Sequence, residues 1–192
     1  MLAAVAGAAI QQNREFVFYI VVMVVLIAVI AFVNWRAQLP NGILWGLSIW
    51  GLLHMAGGLI PLPEGWPYHG ENAVLYSWWI LPELLKYDQI IHAYGFGLMT
   101  ILCWDALRTG VQRADGVELR PTLGLMTLCA AAGVGFGALN EVIEFIAVLT
   151  IPNTNVGGYD NTGWDLVANL VGAITAVVLI RMRRGSGLSR PG

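Results

Sequence analysis

The sequence predicts an all-α fold, a polytopic bundle of about five transmembrane helices with a short interfacial or re-entrant helix beside them. Three observations carry this reading. Of the 192 residues, 57% are hydrophobic and 11% charged, against about 45–50% and about 25% in soluble domains. The mean hydropathy is +0.68, and the apolar residues gather in runs of about 17 to 19, enough to cross a hydrocarbon layer of about 30 Å at about 1.5 Å per residue. No Lys or Arg falls inside these runs. In lipid every backbone donor and acceptor must be satisfied within its own segment, and the runs are too long and too evenly apolar for barrel strands, so they read as helices.

The first span, 16–33, follows ten residues without a basic cluster, so it reads as a retained helix and not a cleavable signal. The second covers 42–60. Pro61-Leu62-Pro63 and Gly65-Trp66-Pro67 then mark a turn-rich loop. Segment 73–85 is apolar and aromatic but short for a span, interrupted by Pro82 and followed by Lys86, which suits an interfacial or re-entrant helix. The third span is 89–107. The fourth, 122–141, continues as an apolar stretch to Ile151, about 30 residues in all, so it must tilt, kink or project beyond the bilayer. The fifth is 164–180. No repeat or soluble segment interrupts the pattern, and residues 1–192 form a single transmembrane domain.

Orientation follows from the basic residues, which accumulate on the cytoplasmic side. Arg36, Arg108, Arg113, Arg120, Arg181, Arg183, Arg184 and Arg190 fall on one side, and Arg14 and Lys86 on the other. The N-terminus is therefore expected outside and the C-terminus in the cytoplasm, with loops 61–87 and 150–163 external. Trp35, Trp45 and Trp104 are expected at the inner interface, and Trp66, Trp78, Trp79 and Trp164 at the outer one. The formal charge of −2 offers no basic face for nucleic acid. Cys103 and Cys129 lie inside apolar runs and read as small buried hydrophobes.

Ionisable groups are expensive at membrane depth, so each one near a span needs a reason. In this orientation His54, Asp88 with His92, Asn140 with Glu141 and Glu144, and Asp165 with Asn169 come from four helices to one depth, in the outer leaflet. Asp88/His92, Asn140/Glu144 and Asp165/Asn169 are i,i+4 pairs and Glu141/Glu144 an i,i+3 pair, so each shares a helix face. Gly57-Gly58, Gly95, Gly97, Gly133, Gly135 and Gly137 lie nearby and allow close helix approach.

Simpler readings stand beside this one. Asp88 and Asp165 are each placed to cap a helix, and His54 to make a structural hydrogen bond. Glu141 and Glu144 resist such a reading, because two like charges a turn apart repel unless a cation or proton lies between them. Asp105 and Arg108 read as a solvated ion pair, and Glu64, His69, Glu71, Glu83, Tyr159 and Asp160 as solvated loop surface or an entrance.

Imidazoles and carboxylates without thiolates suit a divalent cation such as Zn, Mn, Fe or Mg. The expected ligands are His54, Asp88, His92, Glu141, Glu144 and Asp165, with Asn140 and Asn169 orienting them. Neither the Glu-x-x-His repeat of di-iron bundles nor a His-Glu-x-x-His run is present. With a metal, Glu141 and Glu144 are the groups to move protons in hydrolysis or transfer on a lipid-linked substrate. Without one, the same groups form a proton relay in a small transporter, or merely hold the helices together.

His54-Met55-Ala56-Gly57-Gly58, Tyr87-Asp88 with His92, Asn140-Glu141 with Glu144-Phe145, and Asp160-Asn161-Thr162 with Trp164-Asp165-Leu166 and Asn169 together resemble the uncharacterised bacterial YjdF-like inner-membrane family. More distantly, Asp-x-x-x-His, Glu-x-x-(Gln or Glu) and Asp165, Asn169 and Gly172 are similar to VanZ-like proteins, although Glu144 stands where that pattern usually has Gln. The resemblance spans about residues 42–175. It implies an envelope role on lipid-linked or glycopeptide-related substrates, an analogy of family and not of mechanism.

Overall fold

The computed structural model describes residues 14–70, 72–116, 118–152, 154 and 156–185. Glu71 and Arg190, and the side chains of Arg14, Arg113 and Arg184, lie outside the described residues. Five long helices account for most of the chain: α1 (Arg14–Ala37), α2 (Asn41–Leu59), α3 (Tyr87–Asp115), α4 (Leu123–Thr150) and α5 (Tyr159–Gly185). Each contains a segment long and apolar enough to cross a membrane.

All the helices but α2 outrun their apolar runs, because backbone hydrogen bonding does not stop where hydropathy does. α3 starts where the Gln89 side chain accepts the backbone N–H of Lys86 (3.0 Å) and ends at Gly116, whose φ of 69° is a left-handed stop. α4 starts where the Thr122 hydroxyl caps the N–H of Leu125. It runs 28 residues, about 42 Å, as one helix that overreaches the hydrocarbon thickness.

Helix α3 is the hub, packed against α5, α4 and α2, while α1 is only loosely attached and buries none of its apolar stretch. Backbone contact sets the α3–α5 crossing. A Cβ on Gly172 would overlap the Ala93 carbonyl oxygen, and one on Gly97 would stand 2.9 Å from that of Gly172. α2 is tied to α3 by the Tyr87 and Tyr94 hydroxyls, which donate to the carbonyls of Leu53 (3.0 Å) and Gly46 (3.1 Å). Leu128, Leu139, Phe145 and Leu149 of α4 and Val171 and Ile174 of α5 are exposed, as lipid-facing positions are.

Two expectations are corrected here. Segment 73–85 is not an interfacial helix. It forms a 3-10 turn (Leu75–Ser77) and a two-stranded antiparallel hairpin, β1 (Trp79–Leu81) and β2 (Leu85–Lys86). Pro82 cannot donate a hydrogen bond and Glu83 takes a φ of 58°, so the chain reverses there, with the Leu84 N–H donating to the Leu81 carbonyl (3.0 Å). Trp104 is also not an outward-facing belt residue: it is 7% exposed and packs with Met126 and Cys129 between α3 and α4. Trp35 and Trp45, 72% and 70% exposed, do face outward. The two cysteines are free, Cys129 buried and Cys103 half-buried.

Candidate metal centre

The site lies at the hairpin end of the bundle, between α3, α4 and α5. The first turns of α3 put Asp88 and His92 on one face, and His92 is 2% exposed. Its Nδ1 stands 3.1 Å from the Asn169 carbonyl oxygen of α5, an acceptor, so Nδ1 carries the proton and donates. That leaves the Nε2 lone pair directed toward Asp88, whose Oδ1 is 3.6 Å away. Asp165 is fully buried on α5. Its Oδ2 accepts a 2.5 Å hydrogen bond from the Asn161 amide one turn earlier, while Oδ1 has no hydrogen-bond partner.

One ligand atom each from Asp88, His92 and Asp165 falls within 4.8 Å of the others. Two atoms held tetrahedrally by one ion at about 2.1 Å are themselves about 3.4 Å apart. The 3.6 Å separation of Asp88 and His92 is close to that value and too long for a hydrogen bond.

Glu141 and Glu144 of α4 lie beside the same imidazole, again with ligand atoms within 4.8 Å of His92 and of each other. Glu141 is 8% exposed and its Oε1 lies 3.6 Å from His92 Nδ1. Neither of its oxygens makes a hydrogen bond, although Thr162 and Asn140 stand close. Glu144 accepts a 2.8 Å hydrogen bond from the Asn140 amide. Four carboxylates therefore share a poorly hydrated volume with one imidazole and the ammonium of Lys86, and a bound cation or retained protons must offset them.

Small residues make the room. A Cβ on Gly137 of α4 would fall 2.7 Å from the Asn169 carboxamide carbon, so only glycine lets the group that fixes His92 sit there. Gly57 of α2 likewise clears the ring of Tyr76, which a Cβ would approach to 2.5 Å. Burial raises the phenol of Tyr76 well above its ordinary range, with Asp88 and Glu144 adding to the shift, so this hydroxyl stays protonated.

Of the expected residues, Asp88, His92, Glu141, Glu144 and Asp165 come together, with Asn140 and Asn169 bonded to two of them. His54 joins neither group of ligand atoms; its ring is edge-on to Tyr76 (5.4 Å between centroids) and tilted against Trp50 (6.1 Å). The capping alternatives do not hold for the aspartates. Lys86 occupies the cap position of α3, and α5 begins at Tyr159, which leaves Asp165 in its interior.

Three neighbours were not foreseen. Lys86 is 8% exposed, and its ammonium donates to Asn161 Oδ1, so a chain of contacts runs Lys86–Asn161–Asp165. Tyr76 closes the site from the loop. One signal was available: Lys86 is the sole lysine in a chain whose other basic residues are all arginine, and it lies two positions before Asp88.

A cavity of about 900 Å³ opens from this cluster under the hairpin loop, with Asp88, Glu144, Lys86 and Tyr76 on its walls. Fold and cluster together define a multi-pass integral membrane protein with a buried His, Asp and Glu constellation facing a cavity. The chain belongs to the family described as "Predicted membrane protein (DUF2238)", whose model matches residues 1–186. No curated protein and no solved structure matches the chain.

Proposed function

We propose that the protein binds one divalent metal ion through Asp88, His92 and Asp165 and uses it in hydrolysis or group transfer on a lipid-linked substrate. The observation that carries this reading is the division of labour at His92. Asn169 takes the proton-bearing Nδ1 and leaves Nε2 facing Asp88, while Asp165, with a ligand atom within 4.8 Å of those of Asp88 and His92, keeps an oxygen free of hydrogen bonds. A histidine oriented by a carbonyl on its far nitrogen is the usual arrangement of a metal-ligating imidazole. Oxygen and nitrogen donors without sulfur suit Zn, Mn, Fe or Mg.

A bound divalent ion supplies charge stabilisation and lowers the pKa of a coordinated water. The protein's own residues do the rest. Glu141, with both oxygens unengaged, takes the proton of the attacking water as its oxygen bonds to the electrophilic centre. Glu144, steadied by Asn140 and entering the step protonated, gives its proton to the departing oxygen, and the proton taken by Glu141 restores it afterwards. His54 lines the approach. The chain's likeness to YjdF-like and VanZ-like motifs supports an envelope setting, with the site in the outer leaflet of a bacterial inner membrane and the C-terminus in the cytoplasm.

Metal content by mass spectrometry on detergent-purified protein tests the site. Wild type should carry one divalent ion per chain after dialysis against a weak chelator, and His92→Ala should lose it while keeping its helix content. A metal-free wild type, or equal metal in both, overturns the reading and turns the carboxylates into proton carriers, to be tested by flux in liposomes. A reporter fused after Arg183 should be cytoplasmic and one inserted at Gly157 external; opposite labelling reverses the leaflet and leaves the cluster intact.

A further inference from the structure

The cavity wall also carries a positive charge next to the carboxylate cluster. Lys86 is more than nine-tenths buried and lines the cavity. Among the described residues no carboxylate lies within ion-pair distance of its ammonium, which has three protons to donate and gives one to Asn161. The Tyr76 hydroxyl, also on the cavity wall, is buried without a hydrogen-bond partner. A buried, incompletely satisfied ammonium and a buried, unsatisfied hydroxyl lining one cavity are each costly unless a ligand completes them. Asp88 and Glu144, also on the cavity wall, belong to the candidate metal centre, so an anion bound in the cavity would have Lys86, Tyr76 and the ion as its partners.

The same cavity has an apolar exit. Tyr19 of α1 and Met55 and Leu59 of α2 line it away from the charged wall. A smaller cavity of about 20 Å³ shares Tyr19 and His54 with it and reaches Asn140 beneath α1. On this side the cavity borders α1, which is only loosely packed and buries none of its apolar stretch.

We propose that the substrate is a lipid-borne phosphate, its headgroup held by Lys86 and Tyr76 against the metal centre and its acyl or prenyl chain leaving past Met55 and Leu59 under α1 into the bilayer. This rests on the metal reading, since four uncompensated carboxylates would repel a phosphate. A free phosphate offers the same headgroup chemistry without the tail, and the two sources separate by experiment.

Binding of phosphatidic acid in detergent micelles and of inorganic phosphate in water is measured on the full chain, with metal content determined on the same samples. Metal-loaded wild type should bind the lipid at least about tenfold more tightly than inorganic phosphate, the gain expected from burying part of its chain. Lys86→Gln should weaken both ligands by at least about tenfold, as loss of a hydrogen bond to a charged group does, and Lys86→Arg should retain most of the binding. Met55→Trp should weaken the lipid alone. Equal affinity for lipid and free phosphate, or an unchanged Lys86→Gln variant, overturns the proposal. No binding by protein that carries its metal also overturns it and leaves the metal reading standing. Tight lipid binding by a metal-free wild type overturns the dependence on the metal centre while keeping the headgroup anchor.

Discussion

Along the contact between α3 and α4, Trp104, Met126 and Cys129 form a wholly apolar cluster, with Leu107, Leu125 and Val177 packed around it. Twelve residues earlier on α3, about 18 Å along the helix, His92 sits among Glu141, Asp165 and Asn169, the last two as deeply buried as Met126. The two regions share helices, so packing alone explains neither the polarity of one nor the dryness of the other. The apolar end shows that these helices pack without buried charge. The polar end keeps acceptor oxygens on Glu141 and Asp165 without hydrogen bonds, and a group that only glued helices together would have satisfied them. The difference points to a ligand, and each prediction below is a way to break or sharpen it.

The largest effect on stability belongs at the apolar end. Met126 is 0% exposed, and Met126→Ala should cost about 2–5 kcal/mol, the range for truncating a buried side chain. Unfolding in detergent measures it. Metal content of the surviving folded protein should stay at the wild-type level. Loss of metal along with stability would mean that the two ends are one cooperative unit, and the contrast would fail.

At the polar end Asn169→Ala should do the reverse. It removes the carbonyl that fixes the His92 tautomer but neither a ligand nor a filled apolar volume, so metal affinity should fall about 10–100-fold with a smaller loss of stability than Met126→Ala. Competition with a chelator of known affinity reads the shift. An affinity unchanged in Asn169→Ala would show that Nδ1 needs no partner and that the tautomer argument is wrong.

How much of this was visible in the residues depends on what hydropathy reports. The five spans and the meeting of Asp88, His92, Glu141, Glu144 and Asp165 were legible, because helical spacing and depth are linear in sequence and the three helices that carry them agreed on one depth. Trp104 was misplaced because an aromatic near a span end has the same hydropathy whether it faces lipid or a neighbouring helix. The hairpin at 73–85 was missed because its turn rests on one residue, Glu83, in a conformation that composition does not announce. His54 shares the depth of the cluster, yet its azimuth on α2 turns it toward Trp50 and Tyr76, and depth alone could not separate the two. Lys86 was read as a topology charge because basic residues at span ends usually are.

The smallest effect tests the comparison most directly. Asp105 and Arg108 repeat on α3 the acid and base pairing of Asp88 and His92 at nearly the same spacing, with Arg108 donating to Asp105 at 3.0 and 2.8 Å. The Arg108 side chain is half exposed, so water competes for the pair, and Asp105→Asn should change stability by less than about 1 kcal/mol and leave the metal in place. Asp88→Asn, which removes a carboxylate charge from the same helix, should release metal with little change in helix content. Run side by side, the two variants separate charge removal from position. If Asp105→Asn also lost metal, the loss would follow from disturbing α3 in general. If only Asp88→Asn does, the burial of His92 next to it, and not the pairing itself, is what turns an acid and a base one turn apart into a binding site.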